Sequence, residues 1–242
     1  MASTTPMNLV LPGDSVELNS TSTDGITLGP NISISQDALK LHPHTSGLFV
    51  STTTTKSSSL FYVDSARGRY IPQTGDLVIG TILGQFGDFY KVSLNETSAT
   101  VLLNIFQFPN ASKKNRPRLR VRALIYARVA AVESAVEPEL SCIDPTTGKE
   151  GGFGVLEGGY CFNVSPAYAR FLLYESNAPV LRKMVEKLQF EIAIGVNGKV
   201  WIKSDSAKAT MLCAYVVAES EKWKQHEISQ KVEEMIRKFK KL

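Results

Sequence analysis

Histidine, tryptophan and cysteine are scarce in this chain: three, two and three among 242 residues. Cys142, Cys161 and Cys213 are an odd number, widely spaced and without a CxxC pair. That excludes a disulfide framework and fits a reducing compartment. His42 and His44 have no Cys or third His nearby, so the ligand count for a zinc site fails. The same shortage removes Ser-His-Asp and Cys-His catalysis. Two histidines flank a proline in a polar stretch and His226 sits among charges. No catalytic residue, metal or cofactor is therefore expected. No apolar run reaches about 18 residues, so neither a membrane-spanning helix nor a membrane partner is expected. The opening MASTTPMNLVLPGDS has no basic start and no long apolar stretch, so no secretory signal is expected.

Acidic residues are missing from one long window. Between Thr97 and Val132 there is no Asp or Glu, while Lys113, Lys114, Arg116, Arg118, Arg120, Arg122 and Arg128 give it +7. The whole chain carries only +4, so the remainder carries +4 − 7 = −3. A solvated turn needs no such sign bias. A one-signed cluster is the electrostatic footprint of a polyanion contact.

What is present divides into three modules: 1–64, 65–147 and 148–242. The first is rich in Ser and Thr, 21 in the first 60 positions. Its runs Gly47-Leu-Phe-Val50 and Leu60-Phe-Tyr-Val63 flank STTTTKSSS and read as a β-hairpin with a long tip. The second is strand-like: Gly75–Gly84, Phe89–Leu94, Val101–Leu103, Ala123–Val129 and Glu139–Ile143, with Gly, Asp and Asn turns between them. About five short strands so spaced suit an antiparallel barrel of the OB type. Six of the seven basic residues then fall in the connection between its third and fourth strands, well placed to neutralise phosphates. Phe86, Phe89 and Tyr90 lie near the first barrel hairpin as candidates for base stacking, although alternation puts at least one of the last two inside.

The third module changes period. A strand at Gly159–Val164 leads to Ser165 as N-cap and Pro166 at the first helical position. Ala169, Leu172 and Leu173 recur at helical spacing to about Glu175. A second helix opens at Asn177-Ala-Pro179, with Val180, Met184, Val185 and Leu188 on one face. Strands Phe190–Ile194 and Lys199–Lys203 are joined by Gly195-Val-Asn-Gly198, whose Asn-Gly is a strong hairpin signal. One long helix is expected from about Ser206 to Phe239, with Ile228, Val232, Met235 and Phe239 as an amphipathic stripe that should pack internally. The order β-α-α-β-β-α is that of a KH domain. A KH domain grips RNA with a GXXG loop between its first two helices. Here that joint is Glu175-Ser-Asn-Ala-Pro179, without glycine. The expected fold is thus multi-domain, mainly β plus α+β: an N-terminal β module, a five-stranded OB barrel and a KH-like domain.

Several motifs go further: Leu11-Pro-Gly-Asp14, Arg69-Tyr-Ile-Pro72, Gly75-Asp-Leu-Val-Ile-Gly80, Phe108-Pro-Asn-Ala-Ser-Lys-Lys-Asn-Arg-Pro117, Gly152-Phe-Gly154 and Gly195-Val-Asn-Gly-Lys-Val-Trp201. In this order they resemble the cap subunits of the eukaryotic RNA exosome. The resemblance implies an N-terminal domain, an S1 domain of the OB type and a KH domain. It implies a non-catalytic subunit that helps assemble the complex. Its partners would be a ring of RNase PH-like subunits, the other cap subunits, single-stranded RNA passing to a channel and, indirectly, the nuclease. It implies 3'-5' degradation and processing of rRNA and other RNAs, in nucleus, nucleolus and cytoplasm. Lys113, Lys114 and Arg116 match the loop that would face the channel, and Arg118 and Arg120 extend it. Gly195, Asn197, Gly198 and Trp201 would be structural, packing the KH domain on the S1 domain. The chain departs from the pattern at Val121-Arg-Ala123, where the family usually has Val-Gly-Asp, and residues 19–37 are longer and more polar than it requires.

Two other classes compete. A nuclease would gather several carboxylates around metal ions. The nearest cluster, Glu133, Glu137 and Glu139, brackets Pro138 in what reads as a turn. A protein-interaction scaffold without direct RNA contact would explain the missing GXXG.

Overall fold

The computed structural model describes residues 8–17, 26–29, 31–35, 40–53, 59–65, 69–96, 99–109, 111–133, 136–149, 151–175, 178–224 and 226–240. The chain forms two compact units, Met1–Gly68 and Arg69–Leu242.

The first unit is all β. Its strands are β1 (Asn8–Val10), β2 (Val16–Glu17), β3 (Ile26–Leu28), β4 (Ile32–Ile34), β5 (Lys40–Pro43), β6 (Gly47–Thr53) and β7 (Ser59–Asp64). One sheet has the order β1-β6-β7-β3 and the other β2-β5-β4. The expected hairpin is β6 and β7, paired antiparallel from Leu48↔Asp64 to Thr53↔Ser59. Its tip, 54–58, lies outside the described residues, as do most of 19–37. Val10, Ile32, Leu41 and Val63 form the core, with Phe49 stacked on Phe61 at 6.0 Å.

The second unit begins with the barrel: β8 (Leu77–Phe86), β9 (Phe89–Ser93), β10 (Val101–Asn104), β11 (Leu124–Ala131) and β12 (Glu139–Ser141). Closure comes from β12, which lies antiparallel to β11 and parallel to β10. Alternation explains the filling: Val78, Ile82, Tyr90, Val92, Val101, Leu103, Ile125, Ala127 and Val129 all point inward and are buried. A strand absent from the sequence reading, β13 (Gly154–Leu156), adds to β11. The barrel sheet therefore runs past residue 147.

The remainder is β14 (Tyr160–Asn163), α1 (Pro166–Tyr174), α2 (Pro179–Val185), β15 (Glu191–Ile194), β16 (Lys199–Lys203), α3 (Ala207–Ser220) and α4 (Ile228–Lys240). The sheet order is β14-β16-β15. Ser165 caps α1 by accepting the Tyr168 N–H, with Pro166 in the first turn. Val180 and Met184 of α2 are buried, but Val185, at its C-terminal end, is 68% exposed.

The expected single last helix is two. A helix over 206–239 would be about 50 Å long and would carry its apolar stripe away from a small core. Instead the end of α3 tightens through Lys222 N–H to Glu219 O (3.0 Å) and Trp223 N–H to Ser220 O (3.2 Å). The chain turns back, and α4 packs on α2 and α3. Ile228, Val232 and Ile236 join the core, with Met235 and Phe239 against it. The stripe is thus covered by its own domain. No helix among the described residues is long and apolar enough to cross a membrane.

Candidate nucleic-acid interface

The basic connection between β10 and β11 is tethered along its length. Asn104 Oδ1 accepts the Phe106 N–H (2.9 Å) and starts a short 3-10 turn, Ile105–Gln107. Ile105 N–H donates to Asp88 O at 3.0 Å, tying this turn to the β8–β9 hairpin. Phe108 enters the barrel core. Ser112 and Asn115 close a tight bend: the Ser112 N–H meets Asn115 O, and Ser112 Oγ accepts the Asn115 N–H, both at 3.0 Å. Lys113 and Lys114 stand exposed on that bend.

Tyr90 holds the next stretch. Its ring is buried in the barrel, and its hydroxyl donates to Pro117 O (2.7 Å) while accepting the Leu119 N–H (3.2 Å). A buried phenol needs such partners, and here they are backbone groups on either side of Arg118. Leu119 packs against the core. The connection ends in a turn where Arg122 takes φ = +69°, its N–H donating to Ile82 O (2.7 Å) while Ile82 N–H donates to Ala123 O (2.9 Å). A residue with a Cβ in this region costs roughly 1–2 kcal/mol. The glycine that the resemblance implies at this position is absent, and the left-handed turn is kept at that cost.

The charges are not equivalent. Arg116 Nη1 meets Asp88 Oδ1 at 2.9 Å, and its guanidinium lies 5.8 Å from the Phe106 ring centre. The window lacks acids in sequence, yet one counter-charge reaches it from the β8–β9 turn. Among the described residues, no carboxylate comes within 4.0 Å of Lys113, Lys114, Arg118, Arg120 or Arg122. Arg128 stands apart on β11 beside Asp144. The Asp144 carboxyl is held below its usual range mainly by the Thr146 N–H and the Thr147 hydroxyl, and also by Arg128. Of the three aromatics, Tyr90 is internal, Phe89 half-buried, and Phe86 exposed at the hairpin with Lys91 Nζ 6.0 Å from its ring centre.

The Gly195–Trp201 motif lies elsewhere, as a joint. The β15–β16 turn pushes Val196 into the barrel core and bonds its N–H to Leu77 O at 2.8 Å. Asn197 is buried. Its Oδ1 accepts the Ile79 N–H (3.2 Å), and its Nδ2 donates to Ile79 O and to Leu94 O, each at 2.9 Å. Those partners fix the amide orientation, since only a donor suits two carbonyls. A Cβ on Gly195 would meet Asn197 Oδ1 and, at 2.7 Å, the Ile79 nitrogen. Gly198 has φ = +83°, and a Cβ there would stand 2.7 Å from Val164 O. Trp201 Nε1–H donates to Gly158 O (2.8 Å), while its ring packs with Ile79, Ala193, Leu124, Tyr126 and Leu156. The sequence marked the hairpin, and the resemblance implied a packing role for the motif. The sequence alone offered Tyr90 only for stacking and gave no role to Asp88 or Val196; all three act on partners far away in sequence.

Among the described residues, no group of three or more His, Cys, Asp or Glu side chains is arranged to hold a metal ion. The family model for the S1 domain of exosome complex component RRP40 matches residues 70–154, and a KH-domain model matches 159–208. Exosome complex component RRP40 of Saccharomyces cerevisiae is 41% identical over 211 residues, 87% of each chain. That of Drosophila melanogaster is 42% identical over 163 residues, 67% of this chain and 69% of the other. That of Homo sapiens is 33% identical over 159 residues, 65% and 57% of the two chains. A crystal structure described as that of an exosome complex RNA-binding protein shares the fold, with a TM-score of 0.54 at 24% identity over 70% of this chain and 98% of that one. The chain belongs to the exosome complex component RRP40 family.

Proposed function

We propose that this chain is a non-catalytic, RNA-binding cap subunit of the exosome, organised as the N-terminal, S1 and KH modules described from the sequence. It helps assemble the complex and guides single-stranded RNA into the central channel for 3'-5' degradation and processing of rRNA and other RNAs. Its partners are single-stranded RNA, the RNase PH-like ring subunits, the other cap subunits and, indirectly, the nuclease. Its compartments are nucleus, nucleolus and cytoplasm. The observation that carries the reading is the run of cations on the β10–β11 connection, among which only Arg116 meets a carboxylate in the described residues. Lys113, Lys114, Arg116, Arg118 and Arg120 are the RNA-binding residues. Gly195, Asn197, Gly198 and Trp201 keep the KH module on the S1 barrel. The non-catalytic reading is supported by the absence of any Asp or Glu between Thr97 and Val132, which leaves the basic surface without carboxylates of its own for metal-assisted hydrolysis.

The test is the double variant Lys113→Glu, Lys114→Glu assembled with its partner subunits. RNA protection by the complex should weaken, most at low salt where the lost cations count for most, and the gap to wild type should narrow as salt rises. Protection and threading equal to wild type would refute the site. Crosslinking of RNA to the 113–122 peptide separates this reading from that of a scaffold without RNA contact. Degradation of RNA by the purified chain with magnesium or phosphate would refute the non-catalytic part.

A further inference from the structure

Within the basic connection, Arg116-Pro-Arg-Leu-Arg-Val-Arg122 repeats arginine at every second residue. In an extended chain that period puts every arginine on one side, spaced by about 6.5 Å. The stretch 116–120 runs without helix or turn, and its burial follows the pattern. Arg116, Arg118 and Arg120 are exposed, while Pro117 and Leu119 are half-buried. The Tyr90 hydroxyl holds Pro117 O and the Leu119 N–H, so the facing of Arg118 is fixed by a residue of the barrel wall. The turn then bonds Ala123 N–H to Arg120 O (3.0 Å) and holds Arg122, also exposed, in the left-handed region.

We propose that Arg118 and Arg120 contact successive phosphates of one RNA strand, that Arg122, on the turn that follows, extends this ladder, and that Arg116, already paired with Asp88, makes a weaker contact and positions the connection. The spacing of alternate residues is close to that of neighbouring phosphates in an extended strand. Guanidinium groups suit phosphate oxygens through paired N–H donors. Arg116 differs because its charge is already met by Asp88 at 2.9 Å and its plane is set near Phe106. A ladder of this kind reads the backbone and not the bases, so binding would be indifferent to sequence. The inference rests on the reading that this connection binds RNA. It assigns the contacts within it, adds Arg122 and gives Arg116 a supporting role.

The experiment measures affinity of the full chain for fluorescein-labelled oligo-uridine and oligo-adenosine across a salt series. Each of Arg118→Gln, Arg120→Gln and Arg122→Gly should reduce the steepness of log K against log salt by about 0.7, and the triple variant by about 2. The reductions should be equal on both oligonucleotides. Arg122→Lys should keep the wild-type slope, and Arg116→Gln should flatten it by less than half as much as each of the other three, lowering affinity a few-fold at most. Thermal melts verify folding, and glycine suits the φ of position 122. The ladder is wrong if Arg116→Gln flattens the slope as the others do. It is also wrong if the three variants leave the slope intact while Lys113→Glu with Lys114→Glu flattens it, which would confine RNA to the bend and leave the proposed function standing. Wild-type chain without salt-dependent RNA binding would sink the proposed function and the ladder together. Variants that keep the RNA slope but lose co-purification with partner subunits would overturn the ladder in favour of an acidic protein face.

Discussion

Asn197 grips Ile79 at both ends of one residue, accepting its N–H at 3.2 Å and donating to its carbonyl at 2.9 Å. The two are 118 positions apart, one in the β15–β16 turn and the other on β8. An asparagine side chain carries the same donor and acceptor as a peptide unit, so it can pair with strand backbone as a short extra strand would. Its remaining amide hydrogen reaches Leu94 O, just past the end of the neighbouring strand β9. The contact is polar, buried and fully matched, which makes it directional where apolar packing alone is not.

Replacing Asn197 by Ala should therefore cost more than an average buried polar substitution. Three backbone groups lose their partner in a dry site, and the expected loss is about 3 kcal/mol or more. Asn197→Asp keeps the shape but offers two carbonyls an acceptor in place of a donor, so it should be at least as damaging. Denaturant unfolding of the 69–242 unit within the full chain reads both. A loss below about 1 kcal/mol for the alanine variant would mean that water replaces the amide freely.

The glycines around it act by space and by conformation. Gly195→Ala meets Asn197 and the Ile79 nitrogen, and Gly198→Ala combines φ = +83° with a 2.7 Å approach to Val164 O. Each should destabilise by about 1–3 kcal/mol. Gly84 is the control, since a Cβ there meets nothing within 4 Å. Gly84→Ala should be neutral or stabilising by up to about 1 kcal/mol through the unfolded chain. The three melts, taken together, separate crowding at the joint from a general cost of replacing glycine by alanine in this unit.

Much of this was legible beforehand, and the limits have physical causes. Short strand-like runs separated by Gly, Asp and Asn turns located the five barrel strands, because a closed barrel is built of short strands joined by tight turns. Ser165-Pro166 and Asn197-Gly198 marked a helix start and a hairpin turn because local backbone chemistry demands them. The break between α3 and α4 was not legible. Residues 221–227 contain neither Gly nor Pro to mark it, and α4 packs on α2 and α3, contacts that no local signal announces. The strand β13 is three residues long, too short for a period to show. At the interface, the charge run was plain in the sequence. Its internal division was not, because Asp88 and Tyr90 act on Arg116 and Pro117 from 28 and 27 positions away.

That division can be tested on stability. Arg116 and Asp88 are each nearly half exposed, so their ion pair should give a coupling of only about 0.2–1 kcal/mol in a double-mutant cycle, falling with salt. Tyr90→Phe should cost about 1–2 kcal/mol, because Pro117 O and the Leu119 N–H lose their shared partner inside the fold. Hydrogen exchange at the Leu119 amide should accelerate in Tyr90→Phe and stay near wild type in Asp88→Ala. The reverse order would make the ion pair, and not the phenol, the clasp of the connection.

High pH should unfold the second unit. Burial pushes the Cys142 thiol up to about 12 and the Cys213 thiol to about 11. Burial, with a smaller contribution from Tyr174, pushes the Tyr126 phenol to about 12. Burial and then its hydrogen bond to Asp76 raise Tyr70 further still. Each group keeps its proton longer folded than unfolded, so the unfolded chain binds fewer protons once pH passes the ordinary thiol and phenol values. The stability from these groups is full below about pH 9 and is lost progressively between pH 9 and 12. The denaturant midpoint should fall steeply across that window. A midpoint that stays flat to pH 11 would show that these groups reach solvent in the native state.

If the ladder holds, Arg122 joins stability to binding. At φ = +69° its side chain costs roughly 1–2 kcal/mol, whereas glycine would pass without that strain but lose about 0.5–1 kcal/mol to a freer unfolded chain. Arg122→Gly should therefore stabilise the fold by about 0.5–1 kcal/mol while weakening RNA binding in a salt-dependent manner. Arg122→Ala, with the strain kept and the charge gone, should weaken binding without the gain in stability. Opposite movement of the denaturant midpoint and of RNA affinity in the glycine variant would mark this position as one where strain is held in the turn for the sake of a charge. A glycine variant that is less stable than wild type would mean instead that the arginine stem contributes packing that offsets its own strain.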